Sequence, residues 1–301
     1  MVVPRLSSGD DAPLLSRTDD GVDLALYHVP PDSAAARRPA PPILLVHGTF
    51  SNRLFFLGSG DRGLARYLAG LGYDAWVAEL RGHGRSGALG RASDWNFEDW
   101  IRHDAPALLR GVRQATGSGR VLWLGHSAGG VIAVAWAGLG EDQSRTLAGI
   151  VMAGAPHPGR PGAWHAPLAA IGYGITRLFG RFPARAIGIG PEDEHQGIMQ
   201  QWMWWNVRGR WIGVDGTDYL ANARRVTLPV LALAGAGDLI APPSACRALL
   251  DTLGGDDHTM VTCGRRFGFA ENFNHDRVLV STPAREQVWP RIAAWIAERF
   301  G

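Results

Sequence analysis

The sequence predicts an α/β fold in which a mostly parallel central sheet is flanked by helices and carries an inserted cap. Short apolar runs alternate with segments of helical periodicity, which is typical of consecutive βαβ units. The alternation stops after residue 157 and resumes at residue 226. We therefore expect a core domain formed by residues 1–157 and 226–301, and a cap formed by residues 158–225.

The predicted elements follow one another along the core. Residues 1–20 are polar and are expected to be loose, and residues 81–87 (RGHGRSG) form a glycine-rich turn. Apolar runs that end at glycine, such as ILLVHG, suit strands that are buried on both faces. In chain order the predicted elements are strands at 22–29 and 43–48, a helix at 62–72, a strand at 73–80, a helix at about 97–116, strands at 121–124 and 147–155, and, after the cap, a strand at 226–238, a helix at 243–254, a strand at 258–264 and a helix at 284–300.

Composition bounds the possible partners. The 301 residues are 46% hydrophobic, enough for a large core, and the formal net charge of +2 does not indicate nucleic acid. The chain contains no long apolar run and no apolar segment behind a basic start, so we expect no integral membrane segment, no secretory signal and a cytoplasmic location. Cys246 and Cys263 lack metal-ligand spacing and are expected to be free thiols, with a single disulfide as the alternative. The oligomeric state is not predicted.

The most informative stretch is VLWLGHSAGGVIAVAW, residues 121–136. Its Gly125-His126-Ser127-Ala128-Gly129 segment matches G-x-S-x-G between an apolar strand and a helix-forming run, which is the context that gives the pattern meaning. The sharp turn strains the backbone of Ser127, and glycines two residues away avoid collisions. The helix dipole would favour negative charge developing at Ser127. The alternative is a chance match in a chain with 40 glycines.

A serine nucleophile needs a base and an acid that orients the base. Asp238 directly follows the apolar run VLALAGAG, and His275 lies in the loop between the last strand and the last helix. Reactive groups gather at the carboxyl ends of the strands in such sheets. The alternatives are a turn aspartate that caps the next helix and a surface loop histidine. The chain order Ser127, Asp238, His275 is the order expected of a catalytic triad on this kind of sheet.

Two backbone N–H groups should stabilise the oxyanion. Ala128, the residue after the nucleophile, is the first predicted donor. The second should come from the loop after ILLV, where Gly48 allows close approach and Thr49 is the expected donor. Phe50 is the alternative donor, because the register of that loop is open. His47 is expected to shape the loop through a hydrogen bond.

Substrate contacts are expected from Phe50, His126 and the cap. The cap aromatics are Trp164, Tyr173, Phe179, Phe182, Trp202, Trp204, Trp205, Trp211 and Tyr219. The segment Trp202-Met203-Trp204-Trp205 cannot point inward at every position, so we expect its tryptophans to contribute to the cleft between cap and core. The alternative is that the aromatic side chains form the small core of the cap itself.

Over residues 20–300 the chain resembles the α/β-hydrolase superfamily. The stretch FFLGSGDRGLARYLAGLGYDAWVAELRGHGRSG is similar to acid-lipase-like and monoacylglycerol-lipase-like members, and GAGDLIAPP and FNHDRVLVS resemble their aspartate and histidine motifs. The resemblance implies Ser127 as nucleophile, Asp238 as acid, His275 as base, and Thr49 with Ala128 as oxyanion donors. The cap cannot be aligned with a member of known substrate.

The resemblance implies a serine esterase or lipase that cleaves carboxylic esters with an apolar acyl or ring portion and needs neither metal nor cofactor. A lactonase or an aliphatic polyester depolymerase would use the same triad. An acyltransferase and a ligand-binding receptor that retains the fold are further alternatives.

Overall fold

The computed structural model describes residues 12–60, 62–88, 95–159 and 165–301 of the chain. Trp164, one of the cap aromatics, lies outside these residues. The strands are β1 (Leu14–Arg17), β2 (Asp23–Val29), β3 (Ile43–Val46), β4 (Ala75–Ala78), β5 (Val121–His126), β6 (Leu147–Ala153), β7 (Arg181–Phe182), β8 (Glu194–His195), β9 (Val230–Gly235) and β10 (His258–Cys263). The helices are α1 (Leu54–Leu57), α2 (Leu64–Gly70), α3 (Phe97–Asp99), α4 (Ala105–Thr116), α5 (Ala128–Gly138), α6 (Glu141–Arg145), α7 (His165–Phe179), α8 (Gln196–Arg208), α9 (Tyr219–Ala223), α10 (Pro243–Leu250), α11 (Arg277–Val280), α12 (Thr282–Gln287) and α13 (Trp289–Phe300).

The main sheet has the strand order β1-β2-β4-β3-β5-β6-β9-β10. All neighbours from β4 to β10 are parallel, and β1 and β2 pair antiparallel at one edge. This arrangement confirms the predicted mostly parallel sheet with flanking helices. The carboxyl ends of β3, β5, β6 and β9 therefore meet at one edge near the middle of the sheet, where the candidate residues follow them.

The core lies on both faces of the sheet. Every residue of β5 is buried, and successive side chains of a strand point to opposite faces. Val121 and Trp123 accordingly pack in one hydrophobic cluster, whereas Leu122 and Leu124 pack in the other. Burial on both faces explains why the central strands are continuous apolar runs rather than alternating ones.

Three local features differ from the sequence-based expectation. Strand β1 was expected to be loose: only Ser16 of its residues is buried, so it carries no alternating apolar signal. The predicted helix at 97–116 contains a π-helical turn, Trp100–Asp104, between α3 and α4. The predicted helix at 284–300 is divided into α12 and α13 near Pro290, because proline lacks the N–H that would continue the helix and suits a helix start.

The insertion (residues 158–225) lies between β6 and β9 in the chain. Its helices α7 and α8 pack against each other, and its short strands β7 and β8 pair antiparallel. Helix α8 also contacts α3 of the sheet-bearing part. The division into a core and a separate cap stays a prediction. Within the described part of the chain, no helix is both long and apolar enough to span a bilayer.

Both cysteines are buried free thiols, as predicted. Burial raises the pKa of the Cys263 thiol to about 12 and raises that of Cys246 further. A buried thiol that stays protonated is a poor nucleophile. The cysteines are therefore part of the packing of the core.

Candidate active site

The turn after β5 holds Ser127 in a strained conformation. Its φ and ψ angles are 51° and −119°, a region that non-glycine residues avoid. The Ser127 N–H donates to the carbonyl of Ala153 at 2.8 Å, and the N–H of Gly130 donates to the Ser127 carbonyl at 3.0 Å. The turn is thus tied to the end of β6 and to the first turn of α5.

The turn at residues 125–129, here called the elbow, contains glycines that have the predicted steric role. A Cβ atom on Gly125 would lie 2.3 Å from the carbonyl carbon of Gly129, and one on Gly129 would lie 2.2 Å from the carbonyl oxygen of Val46. Contacts this short cannot be relieved by a side-chain movement, because the opposing atoms belong to the backbone. Helix α5 can therefore approach the ends of β3 and β5 only with glycine at these positions.

The acid and base candidates are paired. Nδ1 of His275 lies 2.8 Å from Oδ2 of Asp238, whose side chain is fully buried. Oδ1 of Asp238 accepts the backbone N–H groups of Ile240 and Ala241, both at 2.8 Å. These two bonds fix the carboxylate on the loop after β9. With its Nδ1–H donated to Asp238, the His275 ring can take up a proton only at Nε2.

Ser127 and His275 line the same cavity, whose volume is about 160 Å³. The remaining lining residues come from the loop after β3, from the elbow, from the insertion and from the loops after β6 and β9. They are Thr49, Phe50, Ser51, Phe55, His126, Ala128, Pro156, Ile189, Gly190, Pro191, Met199, Trp202, Ile240 and Asp276. The structure thus brings the predicted nucleophile, base and oxyanion residues to one enclosed, largely apolar space.

The loop after β3 is oriented by His47, as expected. Its Nδ1 lies 2.7 Å from the Gly48 carbonyl oxygen, and its Nε2 accepts the Leu80 N–H at 3.3 Å. Burial, followed by the charge of His83, lowers the pKa of His47 to about 4, so the ring is neutral and Nδ1–H donates. In a trans peptide the carbonyl and the next N–H point in opposite directions. The Thr49 N–H therefore points away from His47.

The alternative donor, Phe50, has its N–H 3.3 Å from Oε2 of Glu194 and is engaged there. This favours Thr49 over Phe50 as the second oxyanion donor. A Cβ atom on Gly48 would lie 2.7 Å from Cβ of Ser127, so the loop and the nucleophile are in close contact. The assignment of Thr49 and Ala128 stays a prediction.

His126 lies between the cavity and the base. Burial, followed by the nearby His275, lowers its pKa well below the usual range, so the ring is neutral. Its Nε2 lies 3.0 Å from the carbonyl oxygen of His275, which places the N–H donor of the neutral ring against the backbone that carries the base. Phe55 stacks on the other side of this ring at a centroid distance of 4.3 Å.

The three candidate tryptophans occupy different environments. Trp202 lines the cavity. Trp205 is 1% exposed, packs on Phe97 and donates its indole N–H to the Ile212 carbonyl, so it belongs to a buried aromatic cluster. Trp204 is 48% exposed and is covered by the guanidinium of Arg208. Trp204 and Trp205 are not among the described residues that line the cavity, so their expected substrate contacts stay predictions.

Two groups of described residues bring three potential metal ligands together. His126, His275 and Asp276 form the first, which shares its residues with the cavity. The second, Asp19, Asp20 and His103, is near the surface, and its histidine already lies 2.7 Å from Asp19. In the first group, Nε2 of His126 faces the His275 carbonyl and Nδ1 of His275 faces Asp238. The chemistry of the site follows from the serine, the imidazole and the carboxylate.

Comparisons with known proteins agree with this fold. The family described as alpha/beta hydrolase fold matches residues 41–187, which include the loop after β3 and the elbow. The solved structure of an esterase (EaEST) from Exiguobacterium antarcticum superposes with a TM-score of 0.67, covering 94% of this chain and 99% of that chain at 16% identity. The chain therefore has the α/β-hydrolase fold.

Two sequence relatives are similar to this chain over different lengths. Lipase member K of Homo sapiens is 30% identical over 126 residues, which are 38% of this chain and 32% of that protein. The poly(3-hydroxyalkanoate) polymerase subunit PhaC of Haloarcula marismortui is 23% identical and aligns with 92% of this chain and 66% of that protein. The chain spans about a third of the length of the human lipase.

Sequence reasoning missed several residues that contact the site, among them Phe55 and Glu194. Phe55 lies in α1, a single helical turn with no periodic signal. Glu194 lies in the insertion, 144 residues after Phe50, whose N–H it accepts. No local pattern connects positions so far apart in the chain, and the contact depends on how the insertion docks.

Proposed function

We propose that the protein is a serine hydrolase that cleaves carboxylic esters through an acyl-enzyme on Ser127. The observation that carries the proposal is the 2.8 Å contact between His275 Nδ1 and Asp238 Oδ2, in a histidine that shares its cavity with Ser127. Nucleophile, base and orienting acid occur in the chain order of this superfamily. The partial likeness to lipases and the esterase fold support an ester substrate.

Each group then has a defined task. Oγ of Ser127 adds to the ester carbonyl carbon while Nε2 of His275 takes the hydroxyl proton, and Asp238 stabilises the imidazolium. The N–H groups of Thr49 and Ala128 bind the carbonyl oxygen as it gains charge. His275 returns its proton to the departing alkoxide. A water that His275 deprotonates then attacks the acyl carbon and releases the acid from Ser127.

The lining of the cavity suits a short apolar acyl group. Phe50, Met199 and Trp202 contribute apolar surface, and the volume of about 160 Å³ lies below the roughly 300–1,000 Å³ of pockets that enclose drug-sized ligands. We propose that the insertion acts as the cap that limits acyl length, since Met199 and Trp202 belong to it. Butyrate esters should therefore be cleaved faster than octanoate esters.

Labelling with a fluorophosphonate tests the nucleophile, because the probe reacts with activated serines. Ser51 also lines the cavity, which makes Ser51→Ala the matched control for Ser127→Ala. We expect wild type and Ser51→Ala to be labelled and to hydrolyse p-nitrophenyl butyrate, and Ser127→Ala to do neither. Labelling that persists in Ser127→Ala, or that is absent from the wild type, would contradict the proposal.

A second candidate function is acyl transfer or hydrolysis on hydroxyalkanoate polyesters. It is favoured by the likeness to the polyhydroxyalkanoate polymerase subunit, which extends over 92% of this chain. The same acyl-enzyme would then be attacked by a hydroxyl group instead of water. Product analysis with 3-hydroxybutyrate oligomers, a lactone panel and an added alcohol acceptor distinguishes the two, since a hydrolase yields free acid even when the acceptor is present.

A further inference from the structure

A segment of the insertion, the strap (residues 190–195), is bound to the loop that carries the predicted oxyanion donor. The backbone N–H of Glu192 donates to the Phe50 carbonyl at 3.1 Å, and the side chain of Asn52 donates to Glu192 at 2.7 Å. A Cβ atom on Gly190 would lie 2.3 Å from the Phe50 carbonyl oxygen. The two backbones are therefore in direct contact.

Glu194 is the central residue of this contact. It is fully buried, and its carboxylate accepts the N–H of Phe50 at 3.3 Å and the N–H of His195 at 3.0 Å. Nε2 of His83 lies 3.3 Å from the same oxygen that faces Phe50. Burying a carboxylate is costly unless it is paired and hydrogen-bonded. An apolar residue would fill this volume more cheaply, so packing alone does not account for a charge here.

His83, which lies in the glycine-rich turn after β4, supplies the positive charge that faces Glu194. It is fully buried, and its Nδ1 lies 3.2 Å from the Arg81 carbonyl oxygen. Nδ1 thus faces an acceptor and Nε2 lies close to a carboxylate, and this negative charge favours the imidazolium. Burial opposes the charged forms, but their mutual attraction outweighs it, so the pKa of His83 is raised and that of Glu194 is lowered. The pair joins the insertion to the sheet-bearing part of the fold.

Phe50 itself has a φ of 63°, in the left-handed region that non-glycine residues rarely adopt. Such a conformation persists only where the surroundings impose it. Glu194 holds the N–H on one side of the strained residue, and His47 holds the Gly48 carbonyl on the other side of Thr49. Thr49, which lines the cavity, lies between these two fixed peptide groups.

We propose that Glu194 is a positioning residue for catalysis: by accepting the Phe50 N–H, it holds the Gly48–Thr49 peptide so that the Thr49 N–H faces the developing oxyanion. This inference rests on the proposed ester hydrolysis by Ser127. It gives the insertion a part in the rate of the chemical step, in addition to any part in substrate choice. Glu194 itself does not touch the substrate.

The test compares Glu194→Ala with Asp193→Ala. Asp193 is the neighbouring carboxylate of the strap, but it contacts Arg181 and the N–H of Arg185 rather than the loop. Loss of an oxyanion donor costs about 100- to 1,000-fold in kcat. A misplaced donor should cost less, so we expect kcat for p-nitrophenyl butyrate to fall about 10- to 100-fold in Glu194→Ala, with KM changed less than about threefold.

A trifluoromethyl ketone separates positioning from a general loosening of the fold. Addition of the Ser127 hydroxyl to this inhibitor creates an oxyanion, whereas a substrate-shaped amide leaves its carbonyl uncharged. Affinity for the ketone should fall by the same factor as kcat in Glu194→Ala, affinity for the amide should not fall, and Asp193→Ala should match the wild type in both. Equal kcat and ketone affinity in the two variants would overturn the proposal.

If Glu194→Ala does not fold, the Glu194→Gln variant tests the positioning role instead. Its neutral amide oxygen is a weaker acceptor than a carboxylate, which predicts a loss of about fivefold in kcat and in ketone affinity together. No loss in either quantity would overturn the proposal. Fluorophosphonate labelling of wild-type Ser127 keeps the two proposals apart: labelling with no effect at Glu194 refutes only the positioning role, whereas absence of labelling refutes both.

Discussion

Gly154 and His275 are in direct contact where β6 ends. A Cβ atom on Gly154 would lie 3.2 Å from Nδ1 of His275 and 3.5 Å from Oδ2 of Asp238. Gly154 has a φ of 59°, and its N–H donates to the Leu233 carbonyl at 2.8 Å, so the backbone cannot move aside. The hydrogen bond that orients the base is therefore packed against a bare backbone position.

Gly154→Ala should impair both folding and turnover. The positive φ is expected to cost about 1–2 kcal/mol of stability, and the displaced imidazole should lower kcat about 10- to 100-fold. Gly117→Ala is the matched control, because Gly117 has a φ of 71° and nothing within 4 Å of the added methyl group. The control should lose stability in thermal unfolding while keeping kcat. Equal kcat in both variants would contradict the crowding argument.

Asp238→Asn should lower kcat about 1,000- to 10,000-fold without unfolding the protein. Oδ1 can still accept the Ile240 and Ala241 N–H groups, but the amide nitrogen then faces His275 and favours the wrong tautomer. Asp251→Asn, on a surface carboxylate near Arg247, serves as the control. Ester hydrolysis by Asp238→Asn within about tenfold of the wild type would argue against the triad.

The tryptophans of α8 should separate into three responses on truncation to alanine. Trp202→Ala should lower kcat/KM for apolar esters about tenfold, because it removes cavity wall. Trp205→Ala should lower the free energy of unfolding by about 3–5 kcal/mol, as expected of a fully buried ring. Trp204→Ala should change neither, since that ring is half exposed. A specificity change in Trp204→Ala would show that the cavity extends further than described.

Stability should fall on acidification through His47. Its pKa in the folded protein is about 4 against an ordinary value of 6.5, so the unfolded chain binds the proton first. The stabilisation is complete above pH 6.5 and is lost as the pH falls towards 4, by about 3 kcal/mol. Buried His126, whose pKa is also lowered, contributes with the same sign. Urea unfolding of the wild type at pH 7, 5.5 and 4 measures the loss.

His47→Gln should flatten that pH dependence, because glutamine does not titrate while its amide can still donate to the Gly48 carbonyl. His28→Gln is the control, since His28 is an exposed histidine on β2. If the free energy of unfolding of His47→Gln depends on pH as steeply as that of the wild type, His47 is not the group that causes the loss. The same variant should retain measurable hydrolysis if the hydrogen bond to Gly48, and not the imidazole itself, orients the loop.

The fold and the candidate site residues are predictable from the sequence for physical reasons. Strands such as Ile43–Val46 and Val230–Gly235 are buried on both faces, so their apolar runs are continuous and visible. The candidate nucleophile Ser127 is flanked by glycines that the close approach of α5 requires, and Asp238 and His275 follow strands whose ends meet. These features depend on short-range chemistry and on the order of strands along the chain.

The features of the site that the sequence does not predict depend on how the insertion packs against distant parts of the chain. The contact of Phe50 with Glu194 and the choice of Trp202 over its neighbours are set by how α8 and the strap lie on the loop after β3. Helical periodicity could have separated Trp204 from Trp202 and Trp205, which are three positions apart, but it could not have chosen the face that meets the cavity. The exposed strand β1 has no alternating apolar pattern in the sequence, since its pairing with β2 depends on backbone hydrogen bonds.

The geometry of Ser127 bears on what selection has preserved in this chain. A φ of 51° suits glycine, which carries no Cβ atom, better than serine. Evolution under pressure for stability alone would drift towards the residue without a side chain, because that change relieves strain. A hydroxymethyl group at this position therefore carries a thermodynamic disadvantage, which the proposed role of Ser127 as nucleophile would offset.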